Sequence, residues 1–309
     1  FILFWVYRDF DFTKAGDVLL HGTNWWWMLF SLVFGVFAQV FRGWRWRQTL
    51  EPLDAFPKKS DCVNAIFISY AASLVVPRIG EVSRCGVLAK YDNVSFAKSL
   101  GTVVTERLVD TLTIFLITGI TVLLQMPVFV TFLENTGTKI PSFAYLLTSV
   151  WFYIILFCFI GVAILLYYLR KTLFFYERVK GFVLNIWEGI MSLKGVRNIP
   201  LFIFYTLAIW ACYFFHFYFT FYCFAFTAHL GILAALVMFV GGTFAVIVPT
   251  PNGAGPWHFA IISMMMLYGV NVTDAGIFAL IVHGIQTFLV VLLGIYGFAA
   301  LSFTNRHRG

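Results

Sequence analysis

Apolar runs long enough to cross a bilayer dominate this chain. A hydrocarbon core of about 30 Å needs about 20 apolar residues as helix. Such runs occupy 24–42, 106–126, 143–169, 200–225 and 275–303, and residues 1–7 read as the tail of one more. Two further stretches are shorter and broken: 62–76 ends in Pro77, and 230–248 leads into a Pro/Gly-rich run and a second short stretch, 257–269. Only 11% of residues are charged, against about 25% in soluble domains. A soluble globular fold is therefore excluded, as is a disordered or collagen-like chain.

The net charge of +7 needs no nucleic acid to explain it, because the basic residues gather between spans. Arg42, Arg45, Arg47, Lys58 and Lys59 read as one cytoplasmic loop, and Arg170, Lys171, Arg178, Lys180, Lys194 and Arg197 as another. Arg306 and Arg308 place the C-terminus inside. With spans at 24–42 and 106–126, residues 61–98 must start and end on the cytoplasmic side, and 230–269 on the other, as a hairpin from that face or a pair of short crossings. The expectation is an all-α polytopic membrane protein with about six spanning helices and two oppositely oriented re-entrant hairpins. It forms a single transmembrane domain over 1–309. Its halves, 1–135 and 143–303, have the plan of an inverted repeat, as in many transporters. Residues 170–198 mix basic and apolar side chains in the manner of an amphipathic helix at the interface.

Three short motifs carry chemistry. In the first, Arg78, Glu81 and Arg84 recur at spacings of three around Gly80, at the expected tip of the inner hairpin. In the second, Thr102, Glu106 and Asp110 line one helix face, and Arg107 stands close enough to pair with Asp110. Charges at membrane depth are costly and should face protein or water. Together these motifs hold three bases and three acids, a balance that fits internal pairing or a zwitterionic ligand. The third runs through Pro249, Pro251, Asn252, Gly253 and Gly255 to His258. Its prolines and glycines cannot continue a helix, and irregular backbone at this depth is tolerated only inside protein or along a cavity. His258 is able to titrate near neutral pH.

No catalytic constellation, metal-ligand spacing or nucleotide-binding loop is present, so no cofactor is expected. The five cysteines show no paired spacing. His216 and His283 lie within spans and read as satisfied interior residues.

The ordered trio of Arg78–Arg84, Glu106–Asp110 and 249–255 resembles the flippase-like family named for the lysylphosphatidylglycerol synthase transmembrane region. The resemblance covers essentially the whole chain. In that family a glutamate usually follows the third motif, where this sequence has His258. The resemblance implies a multi-pass protein of a bacterial or archaeal cytoplasmic membrane that moves lipid headgroups between leaflets. Its partners would be membrane lipids, with a phospholipid or polyprenyl-phosphate headgroup. Only a short basic tail follows residue 303 here, so lipid aminoacylation is not implied. Two other readings stay open. One is a polyprenyl-phosphate-dependent glycosyltransferase using Asp9 and Asp11 of the first outer loop, and the other is a non-transporting envelope scaffold.

Overall fold

The structure, a computed structural model, describes residues 10–127 and 191–304, together with 3, 6–8, 130, 157, 181 and 184–188. Contacts divide the chain into two compact units, Phe1–Gln125 with Ile186–Gly309, and Met126–Asn185. The helices named here belong to the first. The span expected at 143–169, Asp9, most of the 170–198 segment and the basic C-terminal tail lie outside the described residues.

All regular structure among the described residues is helical. A short helix α1 (Phe12–Asp17) is capped by Asp11, whose Oδ1 accepts from the Thr13 and Lys14 amides at 2.9 and 3.1 Å. Asn24 caps α2 (Trp25–Leu50) in the same way, by accepting from Trp26 N. Then follow α3 (Lys59–Val75), α4 (Ile79–Tyr91), α5 (Phe96–Leu124), α6 (Ile199–Tyr218), α7 (Ile232–Ala245), α8 (Pro256–Leu267) and α9 (Val272–Thr304). Counting the 3-10 turns that extend α2 and α6, four helical segments among the described residues are long and apolar enough to span: Trp25–Leu53, Phe96–Leu124, Ile199–Cys223 and Val272–Thr304. They coincide with four of the runs expected from sequence.

Two boundaries differ. Helix α2 does not stop at residue 42 but runs 26 residues to Leu50. Arg42, Arg45 and Arg47 are therefore helical, not loop residues, and the first two are buried. A helix can carry them inward because acids on α5 receive them. Helix α5 in turn begins at Phe96, ten residues before the apolar run, so its charged motif lies within the helix body.

The two broken stretches form helical hairpins. Their arms are 17 and 13 residues in α3 and α4, and 14 and 12 residues in α7 and α8. At 1.5 Å per residue each arm is at most about 25 Å long, against a hydrocarbon core of about 30 Å. The first hairpin turns at Val76–Arg78. Pro77 forces Val76 into extended backbone (φ −126, ψ 117), and Arg78 closes the turn in the left-handed region (φ 64). The second turns through Pro249–Gly255, where Asn252, Gly253 and Gly255 all take positive φ. Pro256 then opens α8, where its missing N–H costs nothing.

Each hairpin has its own core. Trp46, Leu50, Ile66, Leu88 and Val103 pack the first, and Phe221, Met238, Ile261 and Phe278 the second. The hairpins also meet: α3 packs along α9 and touches the 251–253 turn. A Cβ at Gly297 of α9 would stand 2.9 Å from the Asn64 carbonyl of α3. Gly297→Val should therefore lower the melting temperature in detergent, with a loss of about 1–3 kcal/mol from overpacking. A stability within experimental error of the parent would show that the two helices are not in this register.

Candidate functional site

Helices α2, α4 and α5 converge on a buried ion network. Asp110 of α5 receives two arginines of α2, Arg42 Nη1 at 2.8 Å and Arg45 Nη2 at 2.7 Å. Glu106, one turn earlier, receives Arg84 Nη1 of α4 at 2.7 Å and lies 3.5 Å from Arg45 Nε. Arg45 and Glu106 are wholly inaccessible and Arg84 is 1% exposed. Arg45 also donates to Thr206 Oγ1 of α6 at 3.3 Å. The Arg84 guanidinium lies over the Trp46 ring, 4.6 Å from its centroid, and the indole N–H donates to Thr102.

This arrangement regroups the charges read from sequence. Arg107 does not pair with Asp110; it points outward and meets Glu81 at 2.7 Å, both partly exposed. Arg78 precedes α4 rather than continuing its face, and its Nη2 donates to the Ile247 carbonyl at 2.8 Å. The ion-paired buried set is thus Arg42, Arg45 and Arg84 against Glu106 and Asp110, and Asp61 of α3 is a third fully buried acid outside these pairs. Arg84 Nε and Nη2 and Arg42 Nε have no hydrogen-bond partner among the described residues. Arg42 and Arg45 are the site residues that sequence reading missed. Their spacing of three on one helix face, matching the four-residue spacing of Glu106 and Asp110, is the signal that could have found them.

Gly80 sits where α4 crosses α3. Its N–H donates to Ser73 Oγ, and a side chain there would collide with the Ser69 carbonyl. The contact between Arg78 and Ile247 joins the tips of the two hairpins directly.

The Pro249–Gly255 turn is clamped to α9. Asn252 Nδ2 donates to Thr287 Oγ1 at 2.7 Å, and His283 Nε2 donates to the Asn252 carbonyl at 3.0 Å. His258 is buried, its ring 4.6 Å from that of His283. Its Nδ1 accepts from the Gly255 N–H at 3.3 Å, the job a glutamate does in a capping box. Pro249 and Pro251 are exposed at this turn and Gly253 is buried beneath it. His216 is satisfied by the Ser31 carbonyl at 2.8 Å. Among the described residues no cluster of three or more metal-ligating side chains occurs. Asp11 is engaged as a helix cap.

Between the hairpins lies a cavity of about 300 Å³. Tyr70 of α3, Trp210 and Tyr213 of α6, Thr243 of α7, Trp257 of α8 and Gln286 of α9 line it. The Tyr70 and Tyr213 hydroxyls share a hydrogen bond of 2.8 Å. The Arg42 guanidinium lies 5.7 Å from the Tyr213 ring centroid. Cavity and ion network are therefore adjoining.

Among the described residues, four segments long and apolar enough to span and two short-armed hairpins around a polar centre define a polytopic helical membrane protein. Residues 1–294 match the family described as "Lysylphosphatidylglycerol synthase TM region", and the chain belongs to that family, a membrane family of lipid-related processes. No curated protein matches the chain. No solved structure matches it.

Proposed function

We propose that the protein is a lipid translocase of the bacterial or archaeal cytoplasmic membrane. A headgroup moves between leaflets through the polar region between the two hairpins, entering from opposite faces, while its acyl chains stay in the bilayer. The observation that carries this reading is the junction of the tips, where Arg78 holds Ile247. One exposed guanidinium there spans both hairpins, with N–H groups to spare for an anionic headgroup. Arg78, Glu81 and Arg107 form the accessible part of the path, and the 249–258 turn its far side. Arg84, Glu106 and Asp110 lie beneath and act on the headgroup through their field and by holding α2, α4 and α5 together. Membrane lipids are the partners, and the motifs call for no cofactor.

The test is leaflet-specific labelling of reporter lipids in proteoliposomes. The parent protein should accelerate translocation over protein-free vesicles. Arg78→Ala should slow it about tenfold, which corresponds to about 1.4 kcal/mol, near the value of one hydrogen bond to a charged group. Arg78→Lys should fall between the two. No acceleration by the parent would overturn the function, and parental rates in Arg78→Ala and Glu81→Gln would overturn the site.

A further inference from the structure

The first hairpin is bonded to the second half of the chain at few points. Among the described residues, two side-chain hydrogen bonds join residues 59–91 to residues 199–304. Arg78 Nη2 donates to the Ile247 carbonyl at 2.8 Å, and the hydroxyls of Tyr70 and Tyr213 share a bond of 2.8 Å. Both bonds stand at the cavity between the hairpins. Tyr70 and Tyr213 belong to its wall, and so does Val246, the neighbour of Ile247. Along α9 the contact is made by packing. A Cβ at Gly294 would fall on Ala71, and one at Gly297 on the Asn64 carbonyl. The rings of Phe67 and Tyr296 meet in the same seam, 6.2 Å between centroids.

Little else presses the two tips together. Val75, Val76, Ile79 and Val82 of the first tip and Ile247 and Val248 of the second all stay exposed. In lipid, apolar side chains gain nothing by hiding from the surroundings, so association rests on packing and hydrogen bonds. Parting the tips therefore costs mainly the two bonds. What stands behind each bond is held firmly. Further along α4, Arg84 ties the first hairpin to Glu106 at 2.7 Å in the buried network. Tyr213 of α6 has the Arg42 guanidinium 5.7 Å from its ring centroid, and Arg42 is held by Asp110 at 2.8 Å. The turn at Val76–Arg78 lies between two helix ends, the kind of position that absorbs backbone change in hinges.

We infer that the Arg78–Ile247 and Tyr70–Tyr213 bonds form a latch on the cavity. With both bonds made, the first tip leans on the second and narrows the opening beside Val246. With both broken, the tip from Tyr70 to Glu81 moves off the Pro249–Gly255 turn while Arg84 keeps the rest of the hairpin in place. The cavity then opens to the path between the hairpins. The inference rests on the translocase reading and deepens it: the latch sets when cavity and path are continuous, whichever headgroup is carried.

The experiment follows access to the cavity rather than lipid movement. Thr243→Cys places a thiol in the cavity wall. Its reaction with N-ethylmaleimide is timed by peptide mass spectrometry on the full chain in nanodiscs of phosphatidylethanolamine and phosphatidylglycerol. Arg78→Met nearly keeps the side-chain length and removes the donors, and Tyr70→Phe keeps the ring and removes the hydroxyl. Reaction at position 243 should quicken about tenfold with Arg78→Met and about fivefold with Tyr70→Phe, the range for one hydrogen bond to a charged and to a neutral group. If a single opening breaks both bonds, the double variant should show the product, about fiftyfold. A single variant within about twofold of the parent, or a double variant no faster than the quicker single, overturns the latch. Gly86→Cys reports general loosening, because nothing lies within 4 Å of a side chain there. Its reaction should be the same in every background, and equal acceleration at both positions overturns the inference. Labelling needs no transport. Quickened labelling in a protein that moves no lipid would therefore remove the proposed function and leave the latch. Lipid movement with unaltered labelling would remove only the latch.

Discussion

Asp110→Ala should destabilise the protein by about 3–5 kcal/mol, the range for breaking a buried ion pair by removing one partner. The change would show as a fall in melting temperature in detergent, followed by tryptophan fluorescence. The effect is large because Asp110 serves two arginines at once, and its loss leaves three guanidinium groups to a single carboxylate. Glu81→Ala provides the contrast. Its pair with Arg107 is partly exposed, so solvent screening should hold its contribution under about 1 kcal/mol. A loss at Asp110 no greater than that at Glu81 would mean that the network is hydrated rather than buried. Replacing Arg42, Arg45 and Asp110 together by Met, Met and Leu should recover part of the stability, because no uncompensated charge remains on that side. That variant also separates translocase from scaffold. A scaffold keeps its envelope phenotype with an apolar centre, and a translocase that needs the field does not.

Gly80→Val should be the most damaging glycine substitution in the first hairpin. A Cβ there falls on the Ser69 backbone carbonyl and on the hydroxyls of Ser69 and Ser73. Side chains can turn away, but a helical carbonyl cannot, so α4 must move off α3. The expected cost is about 3 kcal/mol, at the upper end of overpacking, seen as lost monodisperse protein on size-exclusion chromatography. Gly86, six residues further along the same helix, has nothing within 4 Å of the corresponding position. Gly86→Ala should therefore raise stability by about 0.5–1 kcal/mol through helix propensity alone. If both variants behave alike, the close approach of α3 and α4 is wrong.

Much of this architecture is legible in one dimension. Apolar length gives the spans, and parity between them gives the two hairpins, because bilayer thickness acts on each segment separately. Pro77 and the 249–256 run mark the turns by local backbone chemistry. The centre is less legible because its partners are distant in sequence: Arg42 and Asp110 are 68 residues apart and Arg45 and Asp110 are 65 apart. Read locally, a basic run after an apolar stretch is an interface, and only the acids on α5 turn it into an interior. Arg107 shows the same limit in reverse. It is near Asp110 in sequence, yet helix rotation points it outward to Glu81. The cavity is less visible still, since Tyr70, Trp210, Trp257 and Gln286 come from separate helices and become neighbours only through the fold.

The left-handed backbone at Arg78 has one more consequence. At φ 64, glycine is the residue that the turn by itself would favour, and any other side chain raises the local energy by about 1 kcal/mol. An arginine there works against its own backbone. Arg78→Gly consequently relaxes the turn while it removes the guanidinium, so this substitution uncouples shape from charge. A chain that becomes sturdier and stops working after that change would show that a small loss of stability is the condition for having a cation at the meeting point of the hairpins.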